Sequence, residues 1–241
     1  AVVVSVFVNP TQFSASEDLS AYPRPLARDL ELLEAEHVDL VLAPTEQVLY
    51  PPGFDTWVYV AGLTERLEGA ARPTHFRGVT TIVAKLFHIV RPDAAFFGQK
   101  DAQQALVIDK MIRDLDFDLS LEIVPTVREP DGLAMSSRNV YLSPQERSHA
   151  SVLYRCLQEA ERRYTAGERD AEVLRAAMRA MLDAEPLAEA DYVSVAALDT
   201  LEESTTVEGP RLISLAVRIG STRLIDNLVL PPGAPLLRKE T

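Results

Sequence analysis

The residues best suited to bind an anion lie where an apolar run passes through a glycine into a helix, at Gly98, Gln99, Lys100 and Asp101. Asp101 can cap that helix, and Gln104 stands at the matching capping-box position. A lysine at the positive pole of a helix costs up to about 1 kcal/mol. A bound phosphate would instead be stabilised by lysine and backbone amides together. The segment therefore predicts a phosphate site, with Gln104 either completing the cap or binding a ligand.

Two further segments carry polar groups in short loops. Asn9 and Gln12 follow the apolar run AVVVSVFV, and ligands of parallel sheets gather beyond such strand ends. A structural turn with side-chain bonding remains the alternative. The run Met135, Ser136, Ser137 and Arg138 combines two hydroxyls with a guanidinium suited to phosphate oxygens. A solvated turn is the alternative there.

Glu68, Arg72 and His75 precede another predicted helix. They indicate either supports of a pocket or an ordinary loop after a helix that ends at Gly69. His88 and Cys156 lie in apolar helical patterns, and we expect both to be packed core residues. The sequence contains no Walker A run, no G-x-S-x-G and no G-x-G-x-x-G. Four scattered histidines and one cysteine give no zinc spacing, and no metal ligand is assigned.

Composition narrows the class of partner. The net charge is 24 − 36 = −12, so the field of the whole chain repels nucleic acid. No apolar run reaches the roughly 18 to 20 residues of a membrane span. The single cysteine cannot form an intrachain disulfide, which favours a reducing, cytoplasmic setting. A small anionic substrate would need a local basic pocket of the kind described above.

Residues 1–127 alternate strand and helix patterns, which is typical of a Rossmann-like, doubly wound parallel α/β sheet. Strands are predicted at 1–8, 39–43, 56–60, 94–97 and 119–124. Helices are predicted around Leu26, from Arg77 to Pro92 and over 101–115. The chain starts directly with a buried strand pattern and without methionine, so we expect the first strand and helix of the sheet to be missing.

Residues 128–241 follow a different order and predict a small α+β domain. A capping box at Ser143 opens a long helix that should end near Gly167, and a second helix covers 170–184. Three strand patterns follow without intervening helices, at 191–197, 211–218 and 223–230. They predict an antiparallel sheet.

Four ordered motifs together resemble the pantothenate synthetase family, from Val3 to about Arg147 and more weakly through RLISLAVRIGSTRLIDN. They read VSVFVNPTQF, DLSAYPR, RPTHFRGVTTIVAKLFHIVRPDAAFFGQKDAQQ and VPTVREPDGLAMSSRNVYLS. The resemblance implies an adenylating enzyme that condenses pantoate with β-alanine, using ATP as substrate together with Mg²⁺. It further implies a cytoplasmic homodimer with small-molecule partners, and neither nucleic acid nor membrane.

The resemblance also implies roles for the residues singled out above. Asn9, Gln12 and Gln104 would hold pantoate and β-alanine. The ATP-binding set would comprise Gly98, Gln99, Lys100, Asp101, Val127, Met135, Ser136, Ser137 and Arg138. Catalytic contacts would come from Lys100 and from three residues of a C-terminal domain that closes as a lid, Ser136, Ser137 and Arg138. Glu68, Arg72 and His75 would support the pocket.

One departure from the family concerns its P-T-M-G-A-L-H-x-G-H segment, which this sequence does not contain. Its two histidines would contact the ATP phosphates, so we expect negligible activity from the chain as given. Asp29 matches an acidic position near the magnesium shell, but Arg28 stands where an acidic residue is common. Two alternatives remain open: a different carboxylate-adenylating nucleotidyltransferase of the same superfamily, or a fragment that folds or binds without catalysis.

Overall fold

A computed structural model of the chain describes residues 1–13, 19–20 and 22–237. The DLSAYPR motif and the polar loop before it therefore lie partly outside the described residues. The first half contains, in chain order, β1 (Val3–Ser5), α1 (Leu26–Ala35), β2 (Leu40–Leu42), α2 (Glu46–Leu49), α3 (Glu68–Ala71), α4 (His75–Val90), β3 (Ala94–Gly98), α5 (Ala102–Asp114) and β4 (Ser120–Val124).

The second half begins with helices and ends with strands. Its elements are α6 (Pro144–His149), α7 (Val152–Thr165), α8 (Ala171–Asp183), β5 (Ala188–Ala197), β6 (Arg211–Ile219) and β7 (Thr222–Leu230). Short 3₁₀ turns cover Pro10–Gln12, Leu63–Glu65, Gln99–Asp101 and Ser137–Tyr141. No helix in the described ranges is long and apolar enough to cross a membrane.

The described strands form three sheets. β1 and β2 pair in parallel with α1 between them, as a parallel pair requires a crossover connection. β3 pairs with β4, and α5 connects those two strands. β5, β6 and β7 form an antiparallel sheet in that order. The predicted α/β class is confirmed, including the small antiparallel sheet.

The chain packs into two compact units. Unit 1 comprises residues 1–95 and 110–120, and unit 2 comprises residues 96–109 and 121–241. α4 supplies much of the buried apolar surface of unit 1, including Val79, Ile82 and Phe87. In unit 2, α7 and α8 pack on the antiparallel sheet around a core that includes Leu157 and Met178. The domain boundary near residue 127 stays a prediction from the sequence.

Several predicted elements differ in extent. The first strand covers three residues rather than eight, although Val6 still donates a backbone hydrogen bond to Leu42. Residues 56–60 form no strand. The backbone of Val58 bonds to two threonines of α4: its amide donates to Thr81 Oγ1 (3.0 Å), and its carbonyl accepts from Thr80 Oγ1 (2.7 Å).

The helix that opens at Ser143 is two helices rather than one. The capping box is present, since Ser143 and Glu146 exchange side-chain and backbone bonds. α6 nevertheless ends at His149, and Leu153 bonds back to the Ala150 carbonyl in a tighter turn before α7 continues. The sequence pattern is helical throughout this stretch, so it does not predict where the hydrogen-bond register changes.

The two core predictions have different outcomes. Cys156 is fully buried, and burial raises the pKa of its thiol to about 12, which agrees with an inert core residue. His88 is exposed, so the core prediction for it is wrong. α4 buries Val83, Ala84 and Phe87, whereas His88 lies at the margin of that buried face, with its ring centroid 5.3 Å from that of Phe117.

Candidate active site

Asn9 is buried, and the protein itself uses the full hydrogen-bonding capacity of its side chain. Its Oδ1 accepts from Thr11 Oγ1 (2.9 Å) and from the Tyr50 hydroxyl (2.9 Å). Its Nδ2 donates to the Gly78 carbonyl (3.1 Å) and to Gln12 Oε1 (3.3 Å). A carboxamide offers two donors and two acceptor sites. In this structure Asn9 therefore orients its neighbours, Gln12 among them.

The backbone of Gln12 is held as firmly as its side chain. The Gln12 carbonyl accepts from Arg72 Nη2 (3.1 Å) and from His75 Nδ1 (2.9 Å). Accepting at the carbonyl oxygen assigns the ring proton of His75 to Nδ1. Arg72 Nη1 also lies 3.4 Å from His75 Nε2. Arg72 and His75, predicted as pocket supports, thus bond to the backbone of Gln12, which is predicted to bind the substrate.

A glycine lets α4 approach this loop. A Cβ on Gly78 would lie 2.6 Å from the carbonyl oxygen of Thr11 and 2.8 Å from the nitrogen of Gln12. Tyr50 closes the other side of the loop, and burial raises the pKa of its hydroxyl while hydrogen bonds with Thr11 and Asn9 lower it. Glu68 is buried on α3 in the same unit. Unit 1 thereby brings together the predicted residues Asn9, Gln12, Arg72 and His75.

In unit 2, Lys100 lies in the 3₁₀ turn that leads from β3 into α5. Its side chain is 23% exposed, and Nζ lies 3.7 Å from Asp101 Oδ1. Gly98 is extended, and Gln104 is half-buried in the first turn of α5. An ammonium group beside the free amides of a helix start is suited to bind a phosphate, which would compete with Asp101 for the lysine.

The segment 135–138, which contains two serines and an arginine, follows a small hairpin. Arg128 and Ala134 form an antiparallel bridge, and Met135 donates to the carbonyl of Val127 (2.9 Å). Ser136 then caps the 3₁₀ turn Ser137–Tyr141 by accepting from the Arg138 backbone amide (3.2 Å). Val127 and Met135 are exposed, at 61% and 51%. Two apolar side chains paired across a hairpin offer a surface for a flat ring.

Strand β7 contacts both of these segments, the Lys100 turn and the turn containing Arg138. Two of its buried polar residues bond outside the sheet, one to the hairpin that precedes Ser136 and one to the Lys100 turn. Asp226 forms a bidentate ion pair with Arg128 (2.6 and 2.9 Å), and Arg128 lies over the Tyr154 ring at 4.2 Å. Asn227 Nδ2 donates to the carbonyls of Gln99 and Lys100.

Sequence reasoning did not assign a role to Asp226 or Asn227. A usable signal was present, because RLIDNLVL places two polar residues side by side in an otherwise apolar strand. Buried polar groups in a strand need partners outside it. The implied roles of Gln12, Lys100, Gln104 and Arg138 predict that these residues converge on one cleft, and this stays a prediction.

Nearly the whole chain is similar to known proteins. The profile of the family described as pantoate-beta-alanine ligase matches residues 1–229. The chain is 62% identical over 229 residues to the pantothenate synthetase of Roseiflexus castenholzii, covering 95% of this chain and 82% of that protein. It is 59% identical over 232 residues to the pantothenate synthetase of Chloroflexus aggregans, with coverages of 95% and 83%.

Solved structures give the same result. The crystal structure of pantothenate synthetase from Thermus thermophilus is 47% identical and superimposes with a TM-score of 0.91, covering 94% of this chain and 82% of that one. A pantoate-beta-alanine ligase from Francisella tularensis, complexed with beta-gamma ATP and beta-alanine, is 31% identical with a TM-score of 0.76. The coverages for that pair are 95% and 78%.

Proposed function

The chain belongs to the pantoate-β-alanine ligase family, and from this premise we propose that it joins pantoate to β-alanine at the expense of ATP. In the first step, a carboxylate oxygen of pantoate attacks the α-phosphorus of ATP, and pyrophosphate leaves with the electron pair of the broken P–O bond. In the second step, the amine of β-alanine attacks the acyl carbon of the adenylate. AMP leaves, the amine nitrogen loses a proton, and pantothenate is the product.

The first step concentrates negative charge on phosphate oxygens, so it needs fixed cations and amides where that charge develops. We propose that Lys100 meets the phosphates together with the amides of the turn Gln99–Asp101. Arg138, Ser136 and Ser137 would act on the same triphosphate, with Val127 and Met135 against the adenine. The supporting observation is that one strand, β7, contacts both phosphate-binding segments.

We propose that the carboxylic substrate is held mainly by Gln12 and Gln104. Asn9 would act through Gln12, because its own four hydrogen bonds already go to protein groups. Arg72 and His75 would fix the carbonyl of Gln12, with Glu68 in the surrounding frame. Shielding of the adenylate from water would follow if the segment around Ser136 closes over the nucleotide.

Mg²⁺ would enter with the triphosphate as part of the substrate. Among the residues that the structure describes, no group of three or more His, Cys, Asp or Glu side chains could hold a metal ion. Triphosphate oxygens are ordinary ligands of Mg²⁺. Asp29 is half-buried in α1 and takes no metal role here.

The first test separates chemistry from substrate binding. In a chain that includes the family's histidine-bearing segment, Lys100→Ala should slow pyrophosphate release by about 10²- to 10³-fold, the usual effect of losing one preorganised charge partner. Gln104→Ala should raise KM for pantoate by about 10-fold with a small change in kcat, because one ground-state hydrogen bond is lost. Release is measured with ATP and pantoate before β-alanine is added.

Lys110→Ala is the matched control, since Lys110 lies on α5, the helix that follows the Lys100 turn, and pairs with Asp114 on the surface. Release at the wild-type rate from Lys100→Ala would contradict the phosphate role of Lys100. The 241 residues assayed alone, without the histidine segment, should release pyrophosphate at a negligible rate. Rapid release from them would refute that expectation.

A carboxylate screen distinguishes the superfamily alternative. Preference for another acid over pantoate would identify a different carboxylate-adenylating enzyme, and ATP binding without release in the longer chain would indicate a non-catalytic protein. We further propose a cytoplasmic homodimer. The single buried cysteine, which forms no disulfide, supports a reducing compartment, and the family resemblance supports the dimer. Sedimentation of the purified chain tests the oligomeric state.

A further inference from the structure

The side chain of Asn227 connects strand β7 to the turn that carries Lys100. Asn227 is 5% exposed, and its Nδ2 donates to the carbonyl of Gln99 (3.0 Å) and to the carbonyl of Lys100 (2.9 Å). Two consecutive carbonyls are thus held by one amide group. Because carbonyls only accept, these bonds also fix which end of the amide faces the turn.

Strand stability alone gives no reason for an asparagine at this position. Asparagine is depleted in strands. Asn227 Oδ1 is buried and has no hydrogen-bond partner within the described ranges, which disfavours folding. Its register partner on β6 is Ser214, whose buried Oγ is likewise unpartnered there. The side-chain bonds that Asn227 makes therefore go to the Lys100 turn and not to its own sheet.

The backbone around Asn227 is itself anchored. Its amide nitrogen donates to Asp226 Oδ1 (2.8 Å), and Asp226 is held by both terminal nitrogens of Arg128. Arg128 also donates to the carbonyl of Gly132 (3.0 Å), inside the hairpin that precedes Ser136. The strand position from which Asn227 reaches the turn is consequently fixed by a buried ion pair.

We propose that Asn227 is a positioning residue for the phosphate-binding turn. By holding the carbonyls of Gln99 and Lys100, it sets the course of the backbone from which the Lys100 side chain and the first amides of α5 project. The inference rests on the proposed phosphate role of Lys100. Without Asn227 the turn keeps its residues but loses the fixed geometry that phosphate binding requires.

The test is a double-mutant cycle on the chain that includes the histidine-bearing segment, with Asn227→Ala, Lys100→Ala and the double variant. The probe is Mg²⁺-ATP, and its Kd is measured by calorimetry. Asn227→Ala should weaken binding by about 10-fold, the lower part of the range expected when a contact group is displaced by a fraction of an ångström to an ångström. Because Asn227 acts on the turn that carries Lys100, the loss of affinity in the double variant should be smaller than the sum of the two single losses.

Amide hydrogen exchange provides a second readout that a general loss of stability would not reproduce. Asn227→Ala should speed exchange at residues 99–104 and leave the core of α7 and α8 unchanged. Ser214→Ala is the matched control, since it removes a buried hydroxyl from the paired position on β6 and should alter neither readout. In the wild-type chain, the Asn227 side-chain protons should themselves exchange slowly. Fast exchange there would overturn the proposal without any variant having to fold.

The outcomes separate the two proposals. If Lys100→Ala binds Mg²⁺-ATP as tightly as wild type, the phosphate role of Lys100 fails, and the positioning role fails with it. If Lys100→Ala weakens binding but Asn227→Ala does not, or if the two losses simply add, the positioning role alone is overturned. Weaker binding by both, with a non-additive cycle and local loss of protection, supports both.

Discussion

At the scale of single residues, the loop after β1 shows how a buried amide can serve a site indirectly. Asn9 sits among Thr11, Tyr50, Gly78 and Gln12, and each of its four hydrogen-bonding positions is taken. An amide in that state has nothing left to offer a substrate without breaking a bond inside the protein. We therefore propose that Asn9 contributes to function by orienting Gln12.

Asn9→Ala should therefore destabilise unit 1. Four partners, one buried and three half-buried, lose their bonds, and each unsatisfied buried group costs about 1 to 3 kcal/mol before relaxation. We expect the free energy of unfolding to fall by about 3 kcal/mol. Trp57, the single tryptophan, stacks near Tyr50 in the same unit and reports unfolding by fluorescence in urea.

Thr11→Val is the control for that measurement. It removes a single hydroxyl that bonds to Asn9 and contacts Tyr50, so it should cost about 1 kcal/mol. Equal stability of Asn9→Ala and wild type would show that the four bonds contribute nothing. It would also reopen the direct contact between Asn9 and pantoate.

At the scale of elements, α4 and the turn Pro10–Gln12 depend on one glycine for their close approach. Alanine in place of Gly78 would gain about 1 kcal/mol in helix propensity. Its Cβ would stand 2.6 to 2.8 Å from backbone atoms of Thr11 and Gln12, which cannot rotate away. Overpacking of this kind costs typically about 1 to 3 kcal/mol, so the clash should outweigh the propensity.

We predict that Gly78→Ala lowers the midpoint of urea unfolding and weakens pantoate binding, because the Asn9–Gln12 loop must move. Gly209→Ala is the control. The nearest heavy atom to a Cβ there is 3.7 Å away, so stability should be unchanged. A Gly78→Ala variant as stable as the control, with wild-type affinity for pantoate, would show that the loop is not tightly seated on α4.

Sequence patterns predicted the elements that carry strong local signals. α8 has Asp170 accepting from two backbone amides at its start, and the capping box at Ser143 appears as expected. Residues 56–60 were predicted as a strand because a local sequence pattern does not show which groups the backbone will bond to. In the structure, threonine side chains of α4 bond to the backbone of Val58 in place of a neighbouring strand.

The sequence was sufficient to nominate the candidate residues, but it did not indicate the hydrogen bonds that connect them. Lys100 at a helix start and Arg138 beside two serines follow from residue types and spacing alone. The bonds from Asn227 to Gln99 and Lys100 span more than 120 residues of chain. Only the three-dimensional packing of unit 2 makes them visible, and the same is true of the pair Arg128 and Asp226.

At the scale of the whole molecule, acidic residues outnumber basic ones by 12, yet several carboxylates are held by specific partners in unit 2. Hydrogen bonds from Arg162 and then Arg163 lower the pKa of Glu159 from 4.5 to about 2. Hydrogen bonds from Arg147 lower the pKa of Asp131, and those from Arg175 lower the pKa of Glu172. Each of these carboxylates therefore stabilises the folded state when it is ionised.

The direction of the pH effect follows from those shifts. A carboxylate whose pKa is lower in the folded chain contributes its full stability above the unfolded pKa, and that contribution is lost as pH falls through the folded pKa. For Glu159 the window runs from 4.5 down to about 2. We therefore expect the Tm to fall between pH 5 and pH 2, and to fall less steeply in high salt, which screens surface ion pairs.

Glu159→Gln isolates one of these groups. The variant should have a Tm about 2 °C below wild type at pH 6, a size typical of partly exposed ion pairs, and the difference should vanish as pH approaches 2. Glu161→Gln removes a carboxylate from the same helix and should keep the wild-type slope between pH 4.5 and 2. Parallel curves for Glu159→Gln and wild type over that window would mean that Arg162 and Arg163 do not hold this carboxylate in solution.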